Sequence, residues 1–180
     1  MLIVLEGPDG AGKTTLLKQL EVALREHQPE CITSCNPSTP RDFDDYLFAT
    51  EERAKDRRLY IQDRVPWISD IIYSTVLDRP CRLDLMKIQS YWKLPQIVIF
   101  CNPTGISQQD ISQEFKAHKP KEHLAAVQRK HYQLVDKYND FFEAQKKNFT
   151  GFMTYNWKSE DPNEARMLVK SIQEALACVA

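Results

Sequence analysis

Eight residues near the start of the chain, Gly7-Pro8-Asp9-Gly10-Ala11-Gly12-Lys13-Thr14, leave few folds open to it. Glycines at that spacing, closed by lysine and a hydroxyl residue, make a phosphate-binding loop, which works between a buried strand and the helix that follows. Both flanks are present. Leu2-Ile3-Val4-Leu5 is a short apolar, β-branched run suited to a buried strand. From Thr15 to Arg25, apolar Leu16, Leu17, Leu20, Val22, Ala23 and Leu24 recur at helical spacing. Gly7, Gly10 and Gly12 let backbone N–H groups converge on phosphate oxygens, and the helix N-terminus adds a favourable dipole. Ala11 and Thr15 belong to the same cradle. Lys13 is placed to reach the β- and γ-phosphates, and the Thr14 hydroxyl to ligate Mg²⁺. The ligand expected from these residues is a nucleoside triphosphate.

At 180 residues, 42% hydrophobic and 27% charged, the chain is expected to form one domain with a real core. A net charge of −1 gives no overall case for nucleic-acid binding and leaves only a local basic patch open. The five cysteines are odd in number and show no C-x-x-C pair, which reads as reduced thiols. A cytoplasmic setting is therefore expected, the host cytoplasm if the chain is viral. Nothing at the N-terminus resembles a signal peptide, no apolar run approaches the ~20 residues of a membrane span, and no membrane partner is expected. The histidines lack metal-binding spacing.

Further strands follow from apolar runs and their terminators. Cys31 to Cys35 is a weak strand, Arg58 to Gln62 a buried one leading into Asp63-Arg64, and Gln96 to Cys101 the clearest. Phe152 to Tyr155 is a short last strand. Helical patterns cover Asp42 to Lys55, Ile68 to Leu77, Asp84 to Trp92 and Pro162 to Ala177. The longest, Lys121 to Lys147, carries Leu124, Val127, Leu134, Val135, Tyr138, Phe141 and Phe142 on one face. Strands alternating with helices predict a parallel sheet covered on both sides, with ligands at the carboxyl ends of the strands. The phosphate loop, Asp63-Arg64, Asn102 and Tyr155-Asn156 should then share one rim.

A phosphate loop alone does not separate kinases from GTPases or assembly ATPases. No guanine-reading N-K-x-D is present, and the chain is barely larger than a nucleotide-binding core, which favours a small-molecule kinase. Leu2 to Thr15, L-I-V-L-E-G-P-D-G-A-G-K-T-T, resembles the opening of thymidylate kinases, including the acid at Asp9. Leu47-Phe48-Ala49 followed by Arg53 resembles that family's helix over the acceptor nucleotide. Ile61-Gln62-Asp63-Arg64, then Ser69 and Tyr73, is similar to its strand-end D-R with a following Ser and aromatic. The basic stretch Lys116 to Glu122 stands where the family has its lid. The order of elements agrees along essentially the whole chain.

The resemblance implies a three-layer α/β/α P-loop NTPase fold with a five-stranded parallel sheet and a helical lid. It implies a single domain over 1–180. Within it, about 1–30 form the phosphate loop and first helix, 36–58 a reduced acceptor-binding region, and 104–122 the lid. It also implies ATP and Mg²⁺ as cofactors, with in-line transfer governed by position and positive charge. Lys13 neutralises charge between the β- and γ-phosphoryl groups, while Thr14 and Asp63 serve the metal. Asp9 faces the acceptor sugar or holds a basic side chain over the transferring group, and Arg64 grips the acceptor phosphate or its neighbours. Trp67 and Tyr73 are candidates to stack on the acceptor base, with core packing as their alternative.

This chain departs from the pattern. Gly10 stands where many relatives place a catalytic arginine, and the lid offers Lys116, His118, Lys119 and Lys121 but no arginine, which makes Lys119 the candidate. Lysine gives charge without the planar guanidinium fork. Arg53 falls one position late, and Arg41 is the candidate replacement for a missing arginine. The interval from Lys13 to Asp63 is shorter than the family's. The resulting expectation is phosphoryl transfer to a deoxypyrimidine monophosphate of the thymidylate type. Asp63 to Leu77 is more similar to phage relatives, and among these are kinases of 5-hydroxymethyluracil within DNA, so a nucleotide in DNA is the alternative acceptor. A nucleotide-binding regulatory module is the third reading. A homodimer pairing helices such as Ile68 to Leu77 is open by analogy.

Overall fold

The computed structural model describes residues 1–26, 29–35, 43–103, 121–156 and 163–177. Five strands, β1 (Leu2–Glu6), β2 (Ile32–Cys35), β3 (Tyr60–Asp63), β4 (Gln96–Cys101) and β5 (Gly151–Tyr155), pair in parallel in the order β2-β3-β1-β4-β5. The helices are α1 (Lys13–Arg25), α2 (Phe43–Lys55), α3 (Pro66–Leu77), α4 (Ile88–Trp92), α5 (Lys121–Arg129), α6 (His131–Gln145) and α7 (Glu164–Ala177). They cover both faces of the sheet, as the alternation of elements predicts.

Strand alternation sorts the core into two layers. Side chains two apart on a strand share a face. Leu2, Val4, Tyr60, Val98 and Phe100 therefore pack with Leu47, Trp67, Ile72, Leu134, Tyr138 and Phe142 from α2, α3 and α6. Ile3, Leu5, Ile61, Ile97 and Ile99 point the other way, onto Leu16, Leu20 and Leu24 of α1 and Leu168 and Ile172 of α7. Central β1 and β4 are buried on both faces, whereas edge strand β5 is mostly half-buried. No described helix is long and apolar enough to cross a membrane.

Two helical expectations are corrected. The single helix over Lys121 to Lys147 is two, α5 and α6, broken at Lys130, whose backbone (φ −104°, ψ 16°) leaves the helical region. The Lys130 ammonium donates to the carbonyl of Val76 at 2.7 Å. It thereby satisfies a carbonyl in the last turn of α3, which the helix itself leaves without a partner. After Gln145 the chain tightens into a 3₁₀ turn, Lys146–Asn148. The Asp84 to Trp92 helix likewise begins as a 3₁₀ turn, Leu85–Lys87, and only Ile88–Trp92 is α-helical. The Asp84 carboxylate accepts the Met86 N–H at 3.0 Å, a local side-chain bond that competes with helix formation.

Phe142 is the aromatic node of the first layer, touching Phe100, Tyr138, Phe141, Phe149 and Phe152. Phe142→Ala is expected to cost about 3–5 kcal/mol in urea unfolding. Phe48, 65% exposed on α2, should lose less than about 0.5 kcal/mol on the same change.

Candidate active site

Register brings the site together. Leu5 of β1 lies opposite Asp63 of β3, and the Arg64 N–H extends the ladder by donating to the Leu5 carbonyl at 2.9 Å. The segments leaving these two central strands, the phosphate loop and Asp63-Arg64, thus emerge side by side at the carboxyl edge of the sheet.

The loop is shaped by close approach. Gly7 has φ 153°, and a Cβ there would meet the Cys101 carbonyl oxygen at 2.5 Å, so only glycine lets β1 turn beside the end of β4. Gly10 and Gly12 have φ 84° and 73°. Gly12 is also the N-cap of α1 and brings no side-chain cap, which suits a helix end that presents its first N–H groups to an anion. Ala11 is buried behind the loop, and Thr15 is exposed on the first turn of α1. Lys13, only 1% exposed, folds back so that Nζ donates to the Pro8 carbonyl at 2.6 Å. Its ammonium thus stands inside the curve of the loop. Beside the loop, burial outweighs the pull of Lys13 and pushes the Cys101 thiol up to about 12, so it is no thiolate at neutral pH.

The two candidate metal ligands are neighbours. Thr14 Oγ1 donates to Asp63 Oδ2 at 3.3 Å, and Asp63 Oδ1 is buried without a hydrogen-bond partner. An orphaned carboxylate oxygen beside a hydroxyl is a hard-donor pair that fits Mg²⁺. Among the described residues, no three His, Cys, Asp or Glu side chains gather into a metal cage.

Behind the loop lies a buried charge hub. Arg64 Nη2 donates to Asp9 Oδ1 at 2.7 Å and to the Tyr73 hydroxyl at 3.3 Å, and Nη1 donates to Tyr138 at 2.9 Å and to Glu6 Oε1 at 3.4 Å. Each tyrosine then donates onward, Tyr73 to Asp9 Oδ2 at 2.9 Å and Tyr138 to Glu6 Oε1 at 3.1 Å. Glu6 also takes the N–H groups of Gly7 and Val65 and the Ser69 hydroxyl. Burial pushes the Glu6 carboxyl above its usual value, while Arg64, the two N–H groups and Lys13 pull it down. Five donors on two oxygens suit an ionised carboxylate. Burial works against the Arg64 cation as well, yet the surrounding tyrosine hydroxyls and the two carboxylates raise its pKa well above the ordinary value.

The structure thus joins Lys13, Thr14, Asp9, Asp63, Arg64 and Tyr73 at one rim. Tyr73 enters by its hydroxyl and not as an exposed stacking face: it is buried, with Arg64 Cζ 5.3 Å above its ring. Trp67 as a stacking platform is corrected. It is fully buried and stacked on Tyr91 at 5.2 Å, so neither ring face is open to a base. Arg53 Nη1 donates to Gln62 Oε1 at 2.8 Å, and Gln62 Nε2 reaches the Arg64 carbonyl at 2.9 Å, which ties Arg53 to the rim indirectly. Arg41, Lys116, His118 and Lys119 lie outside the described residues, and Lys121 is described only as the first residue of α5.

Three participants went unread in the sequence. Glu6 ends an apolar strand, and a carboxylate at a buried strand end signals a buried partner. Tyr138 looked like one more apolar residue of a helix face, although a buried tyrosine hydroxyl asks for a polar neighbour. Gln62, inside a buried strand, carries the same signal; its amide also donates to Tyr46 and Thr50 of α2.

No protein-family model matches the chain, and no curated protein sequence matches it. Solved structures do. A deoxyadenosine kinase from M. mycoides with bound dCTP superposes with a TM-score of 0.55 at 16% identity, covering 97% of this chain and 100% of that one. A thymidylate kinase from Ehrlichia chaffeensis gives 0.53 at 17%, covering 97% and 98%. The YorR protein from Bacillus subtilis, in complex with phosphorylated GDP, gives 0.56 at 16%, covering 96% of each chain. What the chain shares with them is the fold, here a three-layer α/β/α P-loop fold with a five-stranded parallel sheet.

The steric account of the loop is testable. Gly7→Ala is expected to lose about 2–3 kcal/mol in urea unfolding and to weaken binding of a fluorescent ATP analogue.

Proposed function

We propose that this chain is a Mg-ATP-dependent kinase that transfers the γ-phosphate to a deoxypyrimidine nucleotide, best a thymidylate-type monophosphate. The observation that carries the reading is the meeting at one rim of a complete phosphate loop, the Thr14–Asp63 pair with its orphaned oxygen, and Asp9 gripped by Arg64. A module that only senses nucleotide needs the first of these and not the third. The kinase architecture of the solved structures supports the same reading.

Each residue has a task. The loop N–H groups hold the triphosphate, and Lys13 places a positive charge against its β- and γ-phosphoryl oxygens. Thr14 and Asp63 would hold Mg²⁺, whose contribution is to neutralise charge between those phosphates. Asp9, restrained from behind by Arg64 and Tyr73, offers a fixed carboxylate to the acceptor. With no covalent chemistry for the protein to perform, rate rests on position and charge.

The surface beside the rim favours a free nucleotide over a base within DNA. The end of α2 at the rim, where the Tyr46 hydroxyl meets the Arg64 carbonyl, carries Asp44 and Asp45 in its first turn. A polymer of phosphates gains little by lying along such a face.

The deciding assay is transfer from γ-labelled ATP with Mg²⁺ to a panel of free deoxynucleoside monophosphates and to DNA with and without 5-hydroxymethyluracil. Label in a free diphosphate is expected; label only in hydroxymethylated DNA would move the acceptor to the polymer, and label in neither would end the kinase reading. Lys13→Ala should lower transfer at least ~100-fold with unchanged circular dichroism. Asp63→Asn should lower turnover far more than ATP affinity, and equal losses in both would reduce Asp63 to a binding residue.

A further inference from the structure

Tyr138 stands apart from the rest of the hub. Glu6 precedes the phosphate loop and Asp9 lies within it, Arg64 follows β3, and Ser69 and Tyr73 lie on the helix after it. Tyr138 comes from α6, on the other side of the α5–α6 break, and is the one described α6 side chain that reaches the hub. Its position is set by packing: the ring stacks on Phe100 and Phe142 and meets Tyr73 edge-on at 6.2 Å. The hydroxyl is thus delivered by the core to a point between a carboxylate and a guanidinium.

That point matters to Arg64. Nη1 meets Glu6 only at 3.4 Å, a long contact, but meets the Tyr138 hydroxyl at 2.9 Å, and the hydroxyl passes the link on to Glu6 at 3.1 Å. Without the hydroxyl, Nη1 keeps the long contact alone, and the planar head group can pivot about Nη2, the atom that holds Asp9. Tyr73 donates to Asp9 and accepts from the same Nη2, so it holds the fork at Nη2 and does not replace the anchor that Nη1 has lost.

We infer that Tyr138 is a positioning residue: through its hydroxyl α6 locks the Arg64 guanidinium, and the locked guanidinium aims the Asp9 carboxylate. The consequence for transfer rests on the kinase reading; the immobilisation of Arg64 does not.

Two measurements separate these. In ¹⁵N-labelled protein without substrates, the Nη groups of Arg64, assigned with Arg64→Lys, should give distinct, slowly exchanging signals. Tyr138→Phe, which keeps the ring and so the packing, should merge them. A freely rotating guanidinium in the unaltered chain, or signals unmoved by Tyr138→Phe, overturns the inference whatever the chain catalyses. In the transfer assay, Tyr138→Phe should lower kcat roughly tenfold, the scale of one hydrogen bond to a charged group, with KM for ATP within about twofold. Tyr60→Phe is the control, since that partly buried hydroxyl bonds Asp56 at the opposite end of β3; an equal loss there would mean general loosening and overturn the claim. Tyr138→Phe combined with Asp9→Asn should lose less than the product of the single effects, because both act through one chain of contacts. Full additivity overturns it. Absence of transfer in the unaltered chain would sink the kinase reading and leave the spectra to decide the positioning claim.

Discussion

Two carboxylates and one guanidinium buried together behind the phosphate loop set the terms for the elements around them. Charge taken out of water is costly unless it is paired and hydrogen-bonded, and removing one partner of such a group costs about 3–5 kcal/mol. Glu6, Asp9 and Arg64 therefore need neighbours that fill every remaining donor and acceptor site. Val65, Ser69 and Tyr73 bring the start of α3 against the sheet, and Tyr138 brings α6. The hub thus ties both ends of the site to the helical layer that covers one face of the sheet. Its net charge, one cation to two anions, is eased by Lys13 on the other side of Glu6.

The end of β3 shows how a simple period distributes roles. Consecutive strand residues point to opposite faces. Gln62 consequently turns to α2, where it meets Tyr46, Thr50 and Arg53, while Asp63 turns to α1, where it meets Thr14. In the proposed reaction one residue would serve the acceptor side and the next the triphosphate side. Their adjacency in sequence keeps the two halves in fixed relation, which is what transfer between two bound nucleotides demands.

The parts legible in the sequence were those with a local cause. Glycine spacing, the lysine and hydroxyl after it, and apolar runs bounded by polar residues or prolines point to strands, helices and loop, and the structure agrees to within a residue or two at most boundaries. Gln96 to Cys101 was readable to the residue because a run buried on both faces has sharp polar limits. The failures share a cause at long range. Lys130 breaks a helix whose apolar face runs straight through, and its ammonium bonds a carbonyl of another helix. Trp67 beside the D-R pair looked available to a base, but helical geometry turns it under α3 onto Tyr91. Asp9 and Arg64 could be placed on one rim from sequence, but Glu6 and Tyr138 could not be joined to them, since these side chains meet only after three strands and two helices are in place.

Arg64 itself sits at φ 69°, in the left-handed region that side chains other than glycine avoid. That turn sends its carbonyl to Tyr46 and Gln62 and its guanidinium to Asp9 and Glu6. Glycine at this position would relieve a backbone penalty of about 1 kcal/mol and leave two buried carboxylates facing each other without their shared cation. Lysine would keep the charge but bring one point where four hydrogen bonds converge on a planar fork. Asparagine tolerates the backbone and lacks the charge. The position is therefore constrained from two directions at once, by its backbone and by its partners.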